Sequence, residues 1–320
     1  MRNGKVLVDL HRHMDGNLRM ESILEFAQRG NIALPAKNVA ELKKIAQIHG
    51  TEPDLLGFLQ KFDLIQDVII DYEAVGQIAR ENVEDGIAEG IDYLELRFSP
   101  YFMSQRHGLD VDRLVETVCE NVELASRYRP IQVKLIVILC RNLGLENCWK
   151  ELNAAIRYKD DGVVAVDLAG DEFNFPGDLF VDHFKKARDH GLNITIHAGE
   201  ARGPESVKFA VEQLGAQRIG HGVRSLEDHR VIDLLVNNQI PLEICPTSNV
   251  QTNTVPSLDK HPIRDLMRAG VVVTLNSDDP GVSDITLEHE YRLLETQLAF
   301  TPDEISSIQE NGRKAAFAYQ

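Results

Sequence analysis

The chain alternates between short runs of apolar residues and longer stretches in which apolar residues recur every three or four positions. Eight short runs rich in Val, Ile and Leu have the length of buried parallel strands. They predict strands at Lys5–Leu10, Tyr93–Phe98, Val133–Leu139, Val163–Leu168, Ile194–His197, Arg218–Gly220, Pro241–Ile244 and Val271–Leu275. The stretches between them have the period of amphipathic helices, as at Glu73–Glu89, Val111–Arg127, Phe180–His190 and Pro204–Leu214.

This alternation of strands and helices predicts an α/β fold built from parallel βαβ units. Eight such units favour a closed (β/α)8 TIM barrel. An open doubly wound sheet is the alternative, but it usually carries a Gly-rich phosphate loop after its first strand. Here His11-Arg12-His13 stands there instead. With no internal repeat, low-complexity tract or linker, we expect a single domain over residues 1–320.

The segment Asn17–Ile70 is too long for a simple connection between two strands and predicts additional helices at Met20–Arg29 and Leu55–Ile70. In the second helix, one face carries an apolar stripe of Leu55, Phe58, Leu59 and Phe62. The stripe is typical of a helix packed on the barrel wall. Its position just after the first strand also favours a lid over the active site at the barrel mouth.

Composition excludes several classes of protein. Among 320 residues, 43% are hydrophobic and 26% are charged, as in an ordinary globular protein. The balance of 34 Lys and Arg against 50 Asp and Glu gives a net charge of −16. Such a surface disfavours binding to nucleic acid and to anionic membranes. The acidic surface is compatible with a monomer.

The sequence also predicts a cytoplasmic location. Cys119, Cys140, Cys148 and Cys245 form no C-x-x-C pair and are typical of reduced thiols in a protein core. The apolar run near the N-terminus is broken by Asp9, unlike the core of a signal peptide. No apolar stretch has the length of a transmembrane helix.

Ionisable residues follow several of the predicted strands, at the barrel end where active sites of this fold lie. His11 and His13 can face the same side of a strand because they are two residues apart. That pair alone is a weak signal. Together with His197 and Asp278 at equivalent strand ends, it predicts a metal site. Three nitrogens and one oxygen suit Zn²⁺, and Fe, Co or Mn are alternatives.

Further groups near these positions have both an ordinary and a catalytic interpretation. Glu200 is either a helix N-terminal carboxylate or the proton donor that metal-assisted hydrolysis needs. His221 is either a core histidine or the group that orients or deprotonates the attacking water. Asp278-Asp279 is a good turn sequence, but adjacent carboxylates also allow one to bind metal and the other substrate. Their convergence on one barrel end favours the catalytic interpretations.

Five motifs, in this order along the chain, resemble the signature set of the bacterial adenosine deaminase family within the metal-dependent amidohydrolase superfamily. The motifs are His11–Gly16, Asp167–Glu172, His197–Glu200, Gly220–Gly222 and Ser277–Pro280, with further similarity at Leu96–Pro100 and Cys245–Asn249. The resemblance covers nearly the whole chain. It departs from the usual pattern at Met14, where the family usually has Leu. It also departs at Ala315–Gln320, where the chain stops within what we expect to be a helix.

The resemblance implies site residues position by position. It implies one zinc ion per chain, bound by His11, His13, His197 and Asp278. It implies that Glu200 donates a proton to purine N1 and that His221 orients and helps to deprotonate the attacking water. It implies substrate-binding roles for His13, Asp15 at a ribose hydroxyl, Gly170 at N3 through its backbone, and Asp279 at N7. The apolar stripe matches the family's hydrophobic lid.

The implied reaction is zinc-dependent hydrolytic deamination of adenosine and 2′-deoxyadenosine to inosine and deoxyinosine, with release of ammonia, in purine salvage. Another purine, either adenine or a modified adenosine, is an alternative substrate. Asp15 favours a nucleoside, because relatives acting on the free base carry Glu there. A phosphate would be repelled by a carboxylate near the 5′ oxygen.

Other classes fit the sequence less well. The chain lacks the P-C-x-x-C signature of the cytidine-type zinc deaminases. It also lacks a Lys in Val163–Asp171 that would bridge two metals. A catalytically inactive nucleoside-binding barrel is expected to lose Glu200, His221 or a ligand first, and all are present.

Overall fold

In the computed structural model, which describes residues 6–319, eight parallel strands pair in sequence order. The strands are β1 (Val8–His13), β2 (Tyr93–Phe98), β3 (Gln132–Cys140), β4 (Val163–Ala169), β5 (Asn193–Ala198), β6 (Arg218–His221), β7 (Leu242–Ile244) and β8 (Val273–Leu275). Just beyond β8, the main chain of Asp278 pairs with that of Arg12 in β1. This pairing closes the sheet, so the predicted (β/α)8 TIM barrel is confirmed.

Helices connect the strands and cover the outside of the barrel. They are α1 (Met20–Arg29), α2 (Val39–Ala46), α3 (Leu55–Leu59), α4 (Phe62–Val68), α5 (Tyr72–Glu89), α6 (Pro100–Ser104), α7 (Val111–Ser126), α8 (Leu145–Arg157), α9 (Val181–Asp189), α10 (Pro204–Phe209), α11 (His229–Asn238), α12 (Pro246–Gln251), α13 (Ile263–Arg268), α14 (Pro280–Ser283), α15 (Leu287–Thr296) and α16 (Pro302–Ala315). Within residues 6–319, none of these helices is both long and apolar enough to cross a membrane. All four cysteines are buried and have free thiols.

The predicted bounds of the first strand are wrong. The strand does not end at Leu10 but runs from Val8 to His13, and Lys5 lies outside the described residues. Parallel pairing continues along the histidine motif, where His13 is in register with Arg97 of β2. The motif is polar because its two histidines lie in a cluster near the catalytic end of the barrel while Arg12 pairs with Glu89 of α5, not because the strand has ended.

The predicted helix over Leu55–Ile70 is also wrong, because the segment forms the two short helices α3 and α4. The N–H groups of Lys61 and Asp63 donate to carbonyls three residues back instead of four. This tightening ends one helix and starts the next. Similarly, the predicted helix Pro204–Leu214 is α-helical only to Phe209 and widens into a π-helical turn over Ala210–Leu214.

The barrel interior contains a chain of buried ion pairs. Arg97 donates to Asp167 and to Glu243, both at 2.7 Å. Arg218 donates to the other oxygen of Glu243 at 2.6 Å and to Glu95 at 2.5 Å. Burying these charges is tolerable because each is paired and hydrogen-bonded. The pairs connect strands on different sides of the barrel and fix the carboxylates that support the candidate site.

The expectation that Ala315–Gln320 lies within a helix is wrong, because α16 ends at Ala315. The following residues pack against the barrel bottom. The Phe317 ring lies 3.6 Å from the Arg218 guanidinium carbon, and its N–H donates to Glu95. Those contacts take the place of further helical hydrogen bonds. Gln320 itself lies outside the described residues.

Candidate active site

The structure brings the four predicted metal ligands together at the catalytic end of the barrel. Nitrogen atoms of His11, His13 and His197 and an oxygen atom of Asp278 all lie within 4.8 Å of one another. His11 Nε2 and His13 Nε2 lie 3.2 and 3.4 Å from Asp278 Oδ1. The Nε2 atoms of His13 and His197 face each other at 3.3 Å. The arrangement has the donor atoms and compactness of a divalent-metal site.

Carboxylates behind two of the histidines fix their orientation. Nδ1 of His11 lies 2.8 Å from Glu243 Oε2, and Nδ1 of His197 lies 2.9 Å from Asp167 Oδ2. A hydrogen on each Nδ1 leaves Nε2 as a free lone pair toward the cluster. His11 Nε2 is buried and has no hydrogen-bond partner. The donor set therefore fits a metal ion.

The local backbone is shaped to bring these groups close together. His221 and Asp278 adopt left-handed conformations, with φ of 60° and 63°, which is uncommon for residues with a side chain. Asp278 N–H donates to His11 C=O at 2.8 Å, so barrel closure also positions this carboxylate. A Cβ atom on Gly220 would lie 3.0 Å from His11 Cε1. Glycine at this position makes room for the cluster.

Glu200 lies in the turn after β5 and faces His221, with 3.7 Å between Glu200 Oε2 and His221 Nε2. The turn is held by Glu172, whose carboxylate accepts hydrogen bonds from four consecutive N–H groups, those of residues 199–202. Burial, reinforced by the negative charges of Asp278 and Glu172, raises the pKa of Glu200 to about 7. A substantial fraction of Glu200 therefore carries a proton at neutral pH.

Two more carboxylates, Asp15 and Asp279, line the same space. Asp15 Oδ2 accepts a hydrogen bond from Ser99 N–H at 3.1 Å, while its Oδ1 is buried without a partner. Burial and the neighbouring Asp278 charge raise the pKa of Asp279 well above its ordinary value. Any Cβ on Gly16 would collide with Asp279 Oδ1. The glycine of the first motif is therefore required by the approach of Asp279.

These groups open into a cavity of about 690 Å³. Of the predicted site residues, those on the cavity wall are His13, Asp15, Gly170, His197, Glu200, His221, Asp278 and Asp279. All four apolar-stripe residues line it as well: Leu55, Phe58, Leu59 and Phe62. His11 lies behind the wall and is fully buried. The stripe thus faces the site, while its movement as a lid stays a prediction.

Several residues that support the site were not predicted from the sequence. Asp167, Glu172 and Arg97 lie inside the motifs quoted above but received no role. Glu243 and Asn249, whose side chains contact His11 and His221, were also missed. A detectable signal existed for three of them, because Arg97, Asp167 and Glu243 are charged residues inside strands that are mostly apolar. A charge inside a buried strand indicates a paired partner across the barrel.

A closed parallel barrel with a cluster of candidate histidine and aspartate ligands at one end is typical of metal-dependent hydrolases of the amidohydrolase type. The sequence model of one family within this class, "Adenosine deaminase", matches residues 7–320. The chain belongs to the adenosine deaminase family. The predicted family resemblance is confirmed.

Individual relatives agree with that assignment. Over 311 residues, the chain is 48% identical to an adenosine deaminase from Shewanella denitrificans, covering 97% of this chain and 94% of the relative. Its fold is similar to that of an adenine deaminase from Arthrobacter aurescens, with a TM-score of 0.87 and 26% identity over 98% of this chain and 94% of the other. An N6-mAMP deaminase from arabidopsis gives a TM-score of 0.86 and 28% identity, over the same shares.

Proposed function

We propose that the protein hydrolyses adenosine and 2′-deoxyadenosine to inosine and deoxyinosine, releasing ammonia, and so serves purine salvage. The observation that carries the proposal is the placement of Glu200, His221 and Asp279 around one cavity beside the ligand cluster. In the reaction, a water oxygen bonds to C6 of the purine and the C6–N bond then breaks. The exocyclic amino group gains one proton, which comes from the attacking water, and leaves as ammonia; the second proton of the water replaces the one given to N1.

We propose one zinc ion as the cofactor, held by His11, His13, His197 and Asp278. When bound in such a site, zinc lowers the pKa of water to about 7 and so supplies a nucleophile at neutral pH. The positive charge of the ion would also reduce the electrostatic repulsion between the neighbouring carboxylates. Although burial lowers the pKa of His13, the charges of Asp279, Asp15 and Asp278 raise it to about 9, so the site attracts positive charge.

The chain's own residues bind and protonate the purine in this proposal. Protonated Glu200 donates to N1, which withdraws electrons from C6 and favours attack there. Asp279, whose pKa is raised, donates to N7, which is an acceptor in adenine. The Gly170 backbone contacts N3, and Asp15, with its unpartnered Oδ1, binds a ribose hydroxyl. His13 borders both the ligand cluster and the substrate cavity.

Asp167→Asn is expected to weaken metal binding by about 10–100-fold. The amide can no longer accept hydrogen bonds through both oxygens from Arg97 and His197, so His197 loses its fixed orientation. The affinity of the purified variant for zinc is measured by competition with a chelator. Asp189→Asn, on the exposed end of α9, is the matched control. Unchanged zinc affinity in Asp167→Asn would contradict a role for Asp167 behind His197.

The substrate is tested with metal-replete protein on adenosine, 2′-deoxyadenosine, adenine and AMP, followed by ultraviolet absorbance. We expect rapid loss of both nucleosides and a kcat/KM at least about 10²-fold lower for adenine and AMP. Asp15→Asn is expected to reduce the turnover of adenosine. It should also reduce the ratio of kcat/KM for adenosine to kcat/KM for AMP, because one charge that repels the phosphate of AMP is gone. Preferential turnover of adenine would overturn the nucleoside proposal. No turnover of any purine would favour the inactive nucleoside-binding alternative.

We also propose that the chain forms one domain and acts in the cytoplasm, and its properties are compatible with a monomer. Its proposed partner is a small purine nucleoside, not nucleic acid or a membrane. Every candidate site residue lies either in one eight-stranded sheet or in a loop that follows one of its strands. The four buried free thiols suit a reducing compartment. The net charge of −16 supports the absence of nucleic-acid and membrane binding.

A further inference from the structure

A chain of hydrogen bonds runs from His221 away from the cavity into the protein interior. His221 Nδ1 lies 3.0 Å from Asn249 Nδ2, and Asn249 Oδ1 lies 3.2 Å from His261 Nε2. The other nitrogen of His261, Nδ1, accepts a hydrogen bond from the backbone N–H of Ile263 at 3.2 Å. No role for Asn249 or His261 was predicted from the sequence. Neither residue belongs to the candidate ligand set.

The direction of every hydrogen bond in this chain follows from its inner end. The Ile263 amide can only donate, so His261 Nδ1 must accept. A neutral imidazole with an accepting Nδ1 carries its hydrogen on Nε2, which therefore donates to the Asn249 oxygen. The amide nitrogen of Asn249 is then left facing His221 and can only donate. His221 Nδ1 consequently accepts, and the hydrogen of the neutral ring sits on Nε2.

The surroundings keep this arrangement in place. The Asn249 side chain is fully buried, and His261 is 7% exposed, so solvent does not compete for their hydrogen bonds. Burial lowers the pKa of His261 to about 3, which keeps its ring neutral. The Asn249 backbone is fixed at both ends, since its N–H donates to Cys245 and its C=O accepts from Val255.

We propose that Asn249 and His261 are positioning residues that hold His221 in the tautomer with its hydrogen on Nε2. This atom points into the site, 3.7 Å from both Glu200 Oε2 and Asp278 Oδ2. In this tautomer His221 donates a hydrogen bond to the attacking oxygen and has no free lone pair on Nε2. Two roles were considered for His221, and this chain of hydrogen bonds favours orientation of the water over its deprotonation. The inference rests on the proposed function for its consequence in catalysis.

The tautomer is read directly from the imidazole ¹⁵N shifts of the zinc-loaded, ¹⁵N-histidine-labelled protein. The His221 signals are assigned by their absence in His221→Gln. We expect a hydrogen on Nε2 and a bare Nδ1 in the wild type. A hydrogen on Nδ1 would overturn the proposal. This measurement needs no turnover, so failure of the tautomer assignment is distinguishable from failure of the deaminase proposal, which the substrate panel tests.

Variants at His261 test whether this residue, at the inner end of the hydrogen-bond chain, controls the tautomer of His221 at the outer end. His261→Phe removes the donor to Asn249, so the amide can rotate and present its oxygen to His221. We expect signals of a second tautomer with hydrogen on Nδ1, and a kcat lower by at least about tenfold at little-changed KM. His261→Gln, whose amide nitrogen can replace Nε2, is expected to restore most of both properties.

His183→Phe is the matched control, because it removes a buried imidazole that is stacked on Trp149 and does not line the cavity. It is expected to leave the His221 signals and kcat as in the wild type. An unchanged tautomer and kcat in His261→Phe would overturn control by His261. Asn249→Asp provides a second test, since a carboxylate only accepts and should move a hydrogen onto His221 Nδ1. A bare Nδ1 in Asn249→Asp would contradict the role of Asn249.

Discussion

The Glu200→Gln variant is expected to lose about 10³-fold or more in kcat on adenosine. Glutamine keeps the size of the side chain and can still donate a hydrogen bond, but it has no proton to transfer to N1. General acid catalysis by one positioned group contributes about 10²–10⁴-fold. Because Glu200 lines the cavity, faces His221 and has a pKa near neutrality, we place the effect at the upper part of that range.

The control for Glu200→Gln is its zinc content and its temperature of unfolding, both of which should match the wild type. Glu205→Gln, an exposed glutamate a few residues further along the same segment, is the matched variant and should retain activity. A Glu200→Gln protein with wild-type turnover and full zinc would show that N1 receives its proton from another group. A large rise in KM without loss of kcat would instead assign Glu200 to binding.

The same residue predicts the alkaline side of the pH profile. Burial raises the pKa of Glu200 to about 7, and only the protonated form can donate. Activity that depends on this acid is present below that pKa and is lost as the pH rises through it. The wild type should therefore decline in kcat/KM above about pH 7. This decline should be absent from the residual activity of Glu200→Gln.

Much of the fold, and the residues that the barrel brings together at its candidate site, could be predicted from the sequence because both depend on local patterns. Parallel strands buried on both faces give continuous apolar runs, and the barrel then brings their carboxyl ends together wherever they lie in the chain. His11, His197 and Asp278 could thus be grouped although they are distant in sequence. The bounds of β1 could not be found in this way, since polar residues inside a strand look like its end.

The partners of the supporting groups were beyond such patterns because they depend on side-chain direction across the barrel. No feature of the sequence near Glu243 indicates that this residue contacts His11, Arg97 and Arg218. The division of Leu55–Ile70 into two helices was equally hidden. Its apolar spacing is helical throughout, although the N–H groups of Lys61 and Asp63 donate to carbonyls three residues back.

Removal of the metal is the second large effect that we expect, with loss of activity by at least about 10³-fold. An ion that activates water contributes several kcal/mol to lowering the barrier, and about 4 kcal/mol corresponds to that factor. The protein is treated with a strong chelator, dialysed and assayed on adenosine. One equivalent of zinc per chain should then restore activity, because the four ligand groups form one cluster.

Metal removal should also lower the temperature of unfolding, because an ion that binds only the folded chain stabilises it. Without the ion, His13 and the surrounding carboxylates remain crowded in a buried space. His197→Gln should behave like the metal-free protein even with added zinc. His190→Gln, at the exposed end of α9, should retain full activity and its response to zinc. Undiminished turnover by protein shown to contain no metal would refute a catalytic ion. If activity returned only at two equivalents of zinc per chain, the proposal of a single zinc site would be wrong. The cluster of His11, His13, His197 and Asp278 would then not be sufficient for activity.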